Sequence, residues 1–198
     1  MQNSNTPQLE TERLILRKFT EADIDALFDI YRDEEVNAYL PWFPLKSREE
    51  AAAFYREKYA AAYTRARGYR YAICLKTDNV PIGYVHINMD ESHDLGYGLR
   101  KEFWRRGIAT EAGRAVLARA EEDGLSYVTA THDVNNPRSG HVMKRLGMIY
   151  QYSYVEQWQP KDIPVTFRMY QLNFDGQSGR VYKAYWNRYP SHFIEKDI

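Results

Sequence analysis

A single cysteine, Cys74, occurs in the 198 residues, so neither an internal disulfide nor a multi-cysteine metal site can form. Net charge is missing as well, because 27 Lys and Arg are balanced by 27 Asp and Glu. Without a global basic field, direct nucleic-acid binding is not expected. The five histidines lack spacings such as H-E-x-x-H, and no metal is expected. No apolar stretch approaches the ~18 residues that a membrane span requires. Met1 to Glu10 is polar, with no basic start leading into an apolar run, so no secretory signal is read and a reducing, cytoplasmic setting is expected. Internal repeats, low-complexity tracts and linkers are also lacking. One domain over residues 1–174 is expected, followed by a tail, 175–198, that shares none of its patterns.

Apolar residues make up 44% of the chain, enough to build a core, so disorder is excluded as its main state. The compositional excess is aromatic: 17 Tyr, 8 Phe and 4 Trp reach 15%. Tyrosine serves both inside a core and on surfaces where one end stays wet, and both uses remain open. In the tail, Val181, Tyr182, Tyr185, Trp186 and Tyr189 recur every three or four residues. That spacing predicts a short amphipathic helix between Ser178 and Tyr189, covered by this domain or by a second copy, so monomer and homodimer both stay open.

Residues 13–18 read as a first strand. Thr20 to Asp23 has capping-box spacing, and Ile24, Leu27, Phe28 and Tyr31 continue it on a helical stripe. Pro41 and Pro44 forbid regular structure around Tyr39 to Pro44. A second capping box, Ser47 to Glu50, starts a helix that runs toward Gly68. Tyr69 to Lys76 and Val80 to Met89 form a hairpin, and Asp94 to Leu99 is a strand whose glycines predict a bulge or a close approach by another backbone. A helix from Ile108 to Asp123 ends at Gly124, and Leu125 to His132 is a strand. Asn136-Pro137 then opens a short helix that closes at Gly147. Met148 to Trp158 and Val165 to Phe174 complete a mixed sheet with helices on its faces, an α/β (α+β) architecture.

The chemistry concentrates between Leu99 and Thr110. Four of the seven residues from 100 to 106 are basic, and they lead directly into a helix start. Free amides and the positive dipole end at such a start bind phosphate, and Gly107 and Ala109 are small enough to admit an anion. A solvated basic turn is the alternative. No Walker loop is present, and Gly96-x-Gly98 lacks the third glycine of the dinucleotide fingerprint.

W-R-R-G-I-A-T-E-A after a strand ending G-Y-G-L resembles the pyrophosphate loop of the GNAT superfamily of acetyl-CoA-dependent N-acetyltransferases. N-P-R-S-G-H-V-M-K-R-L-G-M resembles that superfamily's next cofactor-contacting helix, at the family's separation from the first motif. The resemblance covers residues 9 to 174. It implies a mixed, mostly antiparallel sheet of about seven strands flanked by helices. The T-x-R-L-x-L-R opening, Thr11 to Arg17, looks like the ribosomal-protein N-terminal acetyltransferase branch, and Trp104 at the position of a frequent Gln or Arg is also common there.

The resemblance further implies a V-shaped opening between residues 93–99 and 125–132 that takes the acetyl-pantetheine arm. Amides near Tyr97 and Leu99 would bind the thioester carbonyl, and amides of Arg105, Arg106, Gly107, Ile108, Ala109 and Thr110 would hold the pyrophosphate. Asn136 would bond the pantetheine arm or serve only as a helix cap. Met143 stands where many members carry a tyrosine acid, so the acid must be another residue. Ser139 matches a serine given that role in the ribosomal-protein branch, and it too has a capping alternative. For the base, strand alternation places His93 on the face of Leu95, Tyr97 and Leu99, whereas Glu156 matches the branch's base in placement; a water relay also stays open. The expected activity is transfer of the acetyl group of acetyl-CoA to a primary amine, foremost the α-amine of a ribosomal-protein N-terminus. Transfer to a small amine or an antibiotic, and a non-catalytic acetyl-CoA-binding module, are the alternatives.

Overall fold

The computed structural model describes residues 5–196 and 198. Two half-sheets meet along one seam. The first is antiparallel in the order β1 (Leu9–Glu10), β2 (Leu14–Arg17), β3 (Tyr69–Leu75), β4 (Pro81–Ile87) and β5 (Leu95–Leu99). The second runs β6 (Tyr127–Asp133), β8 (Ile163–Asn173), β7 (Ile149–Trp158) and β9 (His192–Phe193), also antiparallel. A single parallel bridge, Asp94 to Thr129, joins them. β1 and β9 are two-residue strands, so seven strands of useful length make an α+β sheet that is antiparallel except at the seam.

Between β2 and β3 lie α1 (Ile24–Tyr31), α2 (Arg48–Phe54), a wide turn over Tyr55–Ala60, and α3 (Ala61–Tyr63). The first capping box forms, with Asp23 accepting from the Thr20 amide at 2.8 Å; in the second, Ser47 accepts from the Glu50 amide at 3.2 Å while Glu50 turns back to the Lys46 amide at 2.8 Å. These helices cover one sheet face through Phe19, Leu27, Ile30, Tyr31, Tyr59 and Tyr84. α4 (Ile108–Glu122) and α5 (Pro137–Arg145) cover the opposite face, where Ile108, Val116, Leu95, Leu99, Val128 and Ala130 are buried together. Among the described residues no helix is long and apolar enough to cross a membrane.

The glycines of β5 serve a close approach, but rings rather than another backbone lie over them, and the β4–β5 register has no bulge. A Cβ on Gly96 would sit 2.5 Å from Cε1 of His86, and one on Gly98 would sit 2.6 Å from Cε1 of Tyr84.

In the tail, the helix α6 covers only Ala184–Arg188, shorter than its periodicity predicts. Its first expected turn is held extended because the Tyr182 amide donates to Oε1 of Gln171 at 2.8 Å, while Gln171 Nε2 donates to the Arg180 carbonyl at 3.0 Å. Val181, Tyr182, Tyr185, Trp186 and Tyr189 pack on the cluster of Tyr152, Tyr154, Val165, Phe167 and Met169. Tyr154 stacks on both Tyr185 and Tyr189, with centroids 5.1 and 4.9 Å away.

Beyond β9 the chain rounds the sheet edge, and Glu195 accepts from Arg168 Nε at 3.0 Å and Nη2 at 2.5 Å, and from Ser153 Oγ at 2.5 Å. Arg168 holds the Glu195 carboxyl below its ordinary value. Such a group stabilises the fold fully above the unfolded value of ~4.3 and loses that contribution as pH falls through the lower folded value. Glu195→Gln should therefore lower the melting temperature most at neutral pH. Its melting curve should converge on the wild type once the pH has fallen through the lowered folded value of Glu195. Identical melting temperatures at pH 7 would show that this tail contact adds nothing.

Candidate active site

Arg105 has φ +60° and Gly107 has φ +75°, and this left-handed pair turns the chain from the basic segment into α4. Glycine tolerates that geometry at no cost, which is why it stands at the helix cap. The first α4 bond runs from the Glu111 amide to the Gly107 carbonyl at 3.0 Å. The amides of Ile108, Ala109 and Thr110 therefore have no partner within the helix and present its positive dipole end.

The Thr-x-Arg opening fastens this turn. Thr11 Oγ1 donates to Glu111 at 2.5 Å, Arg13 Nε donates to the same carboxylate at 2.7 Å, and Arg13 Nη1 donates to the Arg106 carbonyl at 3.0 Å. Burial alone would raise the Glu111 carboxyl, but these donors outweigh it and hold the group below its ordinary value. Trp104 Nε1 donates to the Leu99 carbonyl at 2.8 Å, and the Arg138 guanidinium lies 5.2 Å from the Trp104 ring centre.

Past the Asp94–Thr129 bridge the two half-sheets part. The Asn88 amide donates to the Asp94 carbonyl and the Arg100 amide to the Ile82 carbonyl, so residues 94, 96, 98 and 100 turn their backbones toward β4. The amides of Leu95, Tyr97 and Leu99 consequently point into the gap. By the same alternation β6 directs Thr131 and Asp133 toward it, since the Phe174 amide donates to the Ser126 carbonyl and the Val134 amide to the Thr166 carbonyl.

A cavity of about 810 Å³ opens along this gap. Tyr97, Leu99, Asn136, Ser139 and the whole turn Arg105–Thr110 line it, as do Ala38 and Tyr39 from the segment after α1. Its charged lining is mainly cationic, with Arg105, Arg106, Arg138 and Arg145 against Glu35. Size, charge and free amides suit a nucleotide diphosphate carrying a long, uncharged arm.

At the cavity wall the Tyr97 hydroxyl donates to the Ser139 carbonyl at 2.8 Å and lies 2.9 Å from Ser139 Oγ. Burial pushes the Tyr97 hydroxyl well up from its ordinary value, with the Ser139 contact acting against that shift, so it stays a protonated donor. Asn136 caps α5 by accepting from the Ser139 amide at 3.4 Å, which leaves its side-chain NH₂ free. Met143 is buried in the core.

Both base candidates lie on the tail side, outside the cavity lining. His93 does not share the face of Tyr97: its φ of +46° breaks the strand alternation, and its ring lies 5.4 Å from Tyr127 on the tail side. His93 lies outside the cavity lining. Glu156 stands on β7 opposite Val165, half-buried on the same tail-covered face, where its charge bears on Tyr154 and Tyr189. Pattern reading missed Glu111, which lies within the matched motif, and the hydroxyl of Tyr97, for which only the amide had been considered. Among the described residues, no cluster of three or more His, Cys, Asp or Glu could hold a metal.

The sequence matches the family described as "Acetyltransferase (GNAT) domain" over residues 13–149. It is 30% identical over 158 residues to "Uncharacterized N-acetyltransferase YoaA" of Bacillus subtilis (strain 168), covering 75% of this chain and 89% of that protein. Among solved structures, it superposes with a TM-score of 0.74 and 20% identity on the RimL ribosomal L7/L12 alpha-N-protein acetyltransferase in complex with coenzyme A, covering 85% of this chain and 99% of that one. The microcin C7 self immunity acetyltransferase MccE, in complex with acetyl-CoA and AMP, gives a TM-score of 0.72 at 16% identity, covering 82% and 93%. At these identities the structural likenesses establish the fold.

Ala109→Glu would put a carboxylate among the free α4 amides. A negative charge in a first helical turn stabilises the helix by ~0.3–1 kcal/mol, so the fold should persist. Repulsion of the diphosphate should nevertheless weaken acetyl-CoA binding by roughly a hundredfold or more. Unchanged affinity by calorimetry in the folded variant would remove the diphosphate from this turn.

Proposed function

Because the chain belongs to the GNAT acetyltransferase family and is an acetyl-CoA-dependent N-acetyltransferase, we propose that its acceptor is the α-amine of a protein N-terminus, as in the ribosomal-protein acetyltransferases. The observation that carries this reading is a strap. Lys161, at the tip of the β7–β8 hairpin, donates to the carbonyls of Asn37 and Ala38, each at 3.2 Å. That contact ties the second half-sheet to the segment after α1 beside the cavity that Ala38 and Tyr39 line. A strapped mouth favours a chain end that inserts over a chain that lies across it. Trp42 packs against Tyr31 and Phe54, while Tyr39 and Phe43 remain exposed, a pair of aromatic surfaces for the first residues of a peptide.

Acetyl-CoA supplies the acetyl thioester. The amides of Ile108, Ala109 and Thr110, with Arg105, Arg106 and Gly107, hold its pyrophosphate, and the Asn136 amide reaches the pantetheine arm. The amides of Tyr97 and Leu99 polarise the thioester carbonyl. Tyr97 and Ser139 form a hydroxyl pair that hydrogen-bonds the departing sulfur. A thiol of pKa ~8.5 leaves as thiolate at neutral pH for only about 2 kcal/mol, so this pair has less to contribute than the group that takes the amine's proton.

The test pairs acetyl-CoA with peptides beginning Ala or Ser, with an N-terminally blocked lysine peptide, with a polyamine and with an aminoglycoside, and reads products by mass spectrometry. The α-amine peptides should lead by roughly tenfold or more in kcat/KM. A lead for the polyamine or aminoglycoside would replace this reading with a small-amine acetyltransferase. On the preferred acceptor, Ser139→Ala and Tyr97→Phe should each lower kcat by roughly tenfold to a hundredfold. The double variant should be no worse than the weaker single one, because the two hydroxyls act as one unit. Additive losses would show that they act separately.

A further inference from the structure

On the tail-covered face of the seam, β5 and the bridge residue before it present one side chain larger than glycine. Gly96 and Gly98 lie under the His86 and Tyr84 rings, and Leu95, Tyr97 and Leu99 point toward α4 and α5, which leaves Asp94. Asp94 stands where the half-sheets part, bridged to Thr129, and the gap-facing amide of Thr131 acts on its carboxylate. Its Oδ1 is shut from solvent and has no hydrogen-bond partner, although the residue as a whole is only half-buried. No cation is paired with it among the described residues. An orphaned carboxylate oxygen shut from solvent is costly for the fold, and a proton-bearing ligand would satisfy it.

We propose that Asp94 is the proton acceptor for the incoming amine, and that the amine reaches the thioester from this face of the sheet. The assignment rests on the acetyltransferase activity, and its choice of amine rests on the α-amine reading above. Asp94 lies three residues, about 10 Å of strand, from the Tyr97 amide, a span shared by the thioester carbonyl, the amine nitrogen and one water that carries the proton. In the balanced step the amine nitrogen forms the N–C bond as the C–S bond breaks. The C–S electron pair leaves on sulfur beside Tyr97 and Ser139, the nitrogen's proton passes through the water to the Asp94 carboxylate, and solvent later removes it.

The surroundings tune Asp94 for this task. Burial pushes its carboxyl up to about 8, the Asp90 charge adds to the shift, and the Thr131 amide opposes it. The other titratable groups on this face include His86 of β4, which burial and Arg70 hold neutral with a pKa of about 3, Tyr84 of β4, whose hydroxyl burial raises, Tyr154 and Glu156 of β7, and Tyr185 of α6. Burial raises the Tyr154 and Tyr185 hydroxyls and the Asp94 charge raises them further, so both remain protonated and polar beside it. An α-ammonium of pKa ~7.7–8.0 exchanges a proton with such a carboxylate at near balance, whereas a lysine at ~10.4 does so about 250-fold less favourably. Asp94 thereby favours α-amines chemically, independently of the shape of the mouth.

A carboxyl whose folded value exceeds its unfolded ~3.9 costs stability increasingly as pH rises through that interval. Asp94→Asn keeps the shape and removes that cost. On the Ala- and Ser-initial peptides the variant should lose roughly 10²–10⁴-fold in kcat, with acetyl-CoA affinity within about threefold and a melting temperature equal to or above wild type at pH 9. Below pH 7 the logarithm of wild-type kcat/KM should climb with a slope near two, for the amine and Asp94 together, and the variant's with a slope near one. Asp94→Glu should restore part of the rate.

Retention of kcat within threefold in Asp94→Asn, or a loss accompanied by a lower melting temperature at every pH, would overturn the assignment. If wild type instead prefers the blocked lysine peptide, the α-amine reading falls and the same variant decides Asp94 on that peptide. A wild type that binds acetyl-CoA and acetylates no peptide overturns both.

Discussion

Everything at this site depends on a sheet that stops being a sheet. β5 and β6 share one parallel bridge, Asp94 to Thr129, and then diverge, leaving the amides of Tyr97 and Leu99 on one strand and those of Thr131 and Asp133 on the other without strand partners. Buried backbone donors cost free energy until something bonds them. The gap is therefore a preformed demand for a long, polar-backed ligand, and the pantetheine arm of acetyl-CoA has that form. The α4 amides at the open end repeat the demand for an anion.

Holding two half-sheets apart requires fastening elsewhere, and the fastenings are polar and distant in sequence. Glu111 ties the N-terminal strand segment to the basic turn before α4 through Thr11 and Arg13. Lys161 straps the β7–β8 tip to the segment after α1, and Glu195 pins the tail to Arg168 and Ser153. Each joins residues that pattern analysis had left apart. The aromatic excess divides between the two uses that composition left open. Tyr31, Tyr59 and Tyr84 fill the core under α1, while Tyr154, Tyr185 and Tyr189 stack where the tail covers the second half-sheet.

The local chemistry of the chain was legible because it is local. Capping boxes at Thr20 and Ser47, Pro137 at the first position of α5, and Gly107, Gly124 and Gly147 at helix ends all work within four residues, and each stands where its spacing places it. The basic turn leading into α4 was legible for the same reason. Strand alternation failed at His93, where one residue with a left-handed φ reverses the face of the side chain, and a period-two pattern carries no trace of such a turn. Helical periodicity overran at Val181 and Tyr182, because the hydrogen-bonding capacity of Gln171, about ten residues upstream, outcompetes an isolated helical turn.

By itself, the sequence determined the order of elements, the family, and the basic turn that leads into α4, since all three follow from short-range backbone preference and contiguous motifs. Only the tertiary structure decided which side chains share the gap. It paired Tyr97 with Ser139 across 42 residues, turned His93 to the tail side, and left the bridge residue Asp94 with an unpartnered carboxylate oxygen on the face opposite α4 and α5. The reason is physical. Proximity, burial and the loss of hydrogen-bond partners are properties of packed neighbours, and a carboxyl such as Asp94 loses its partner and is pushed up only when distant strands close around it.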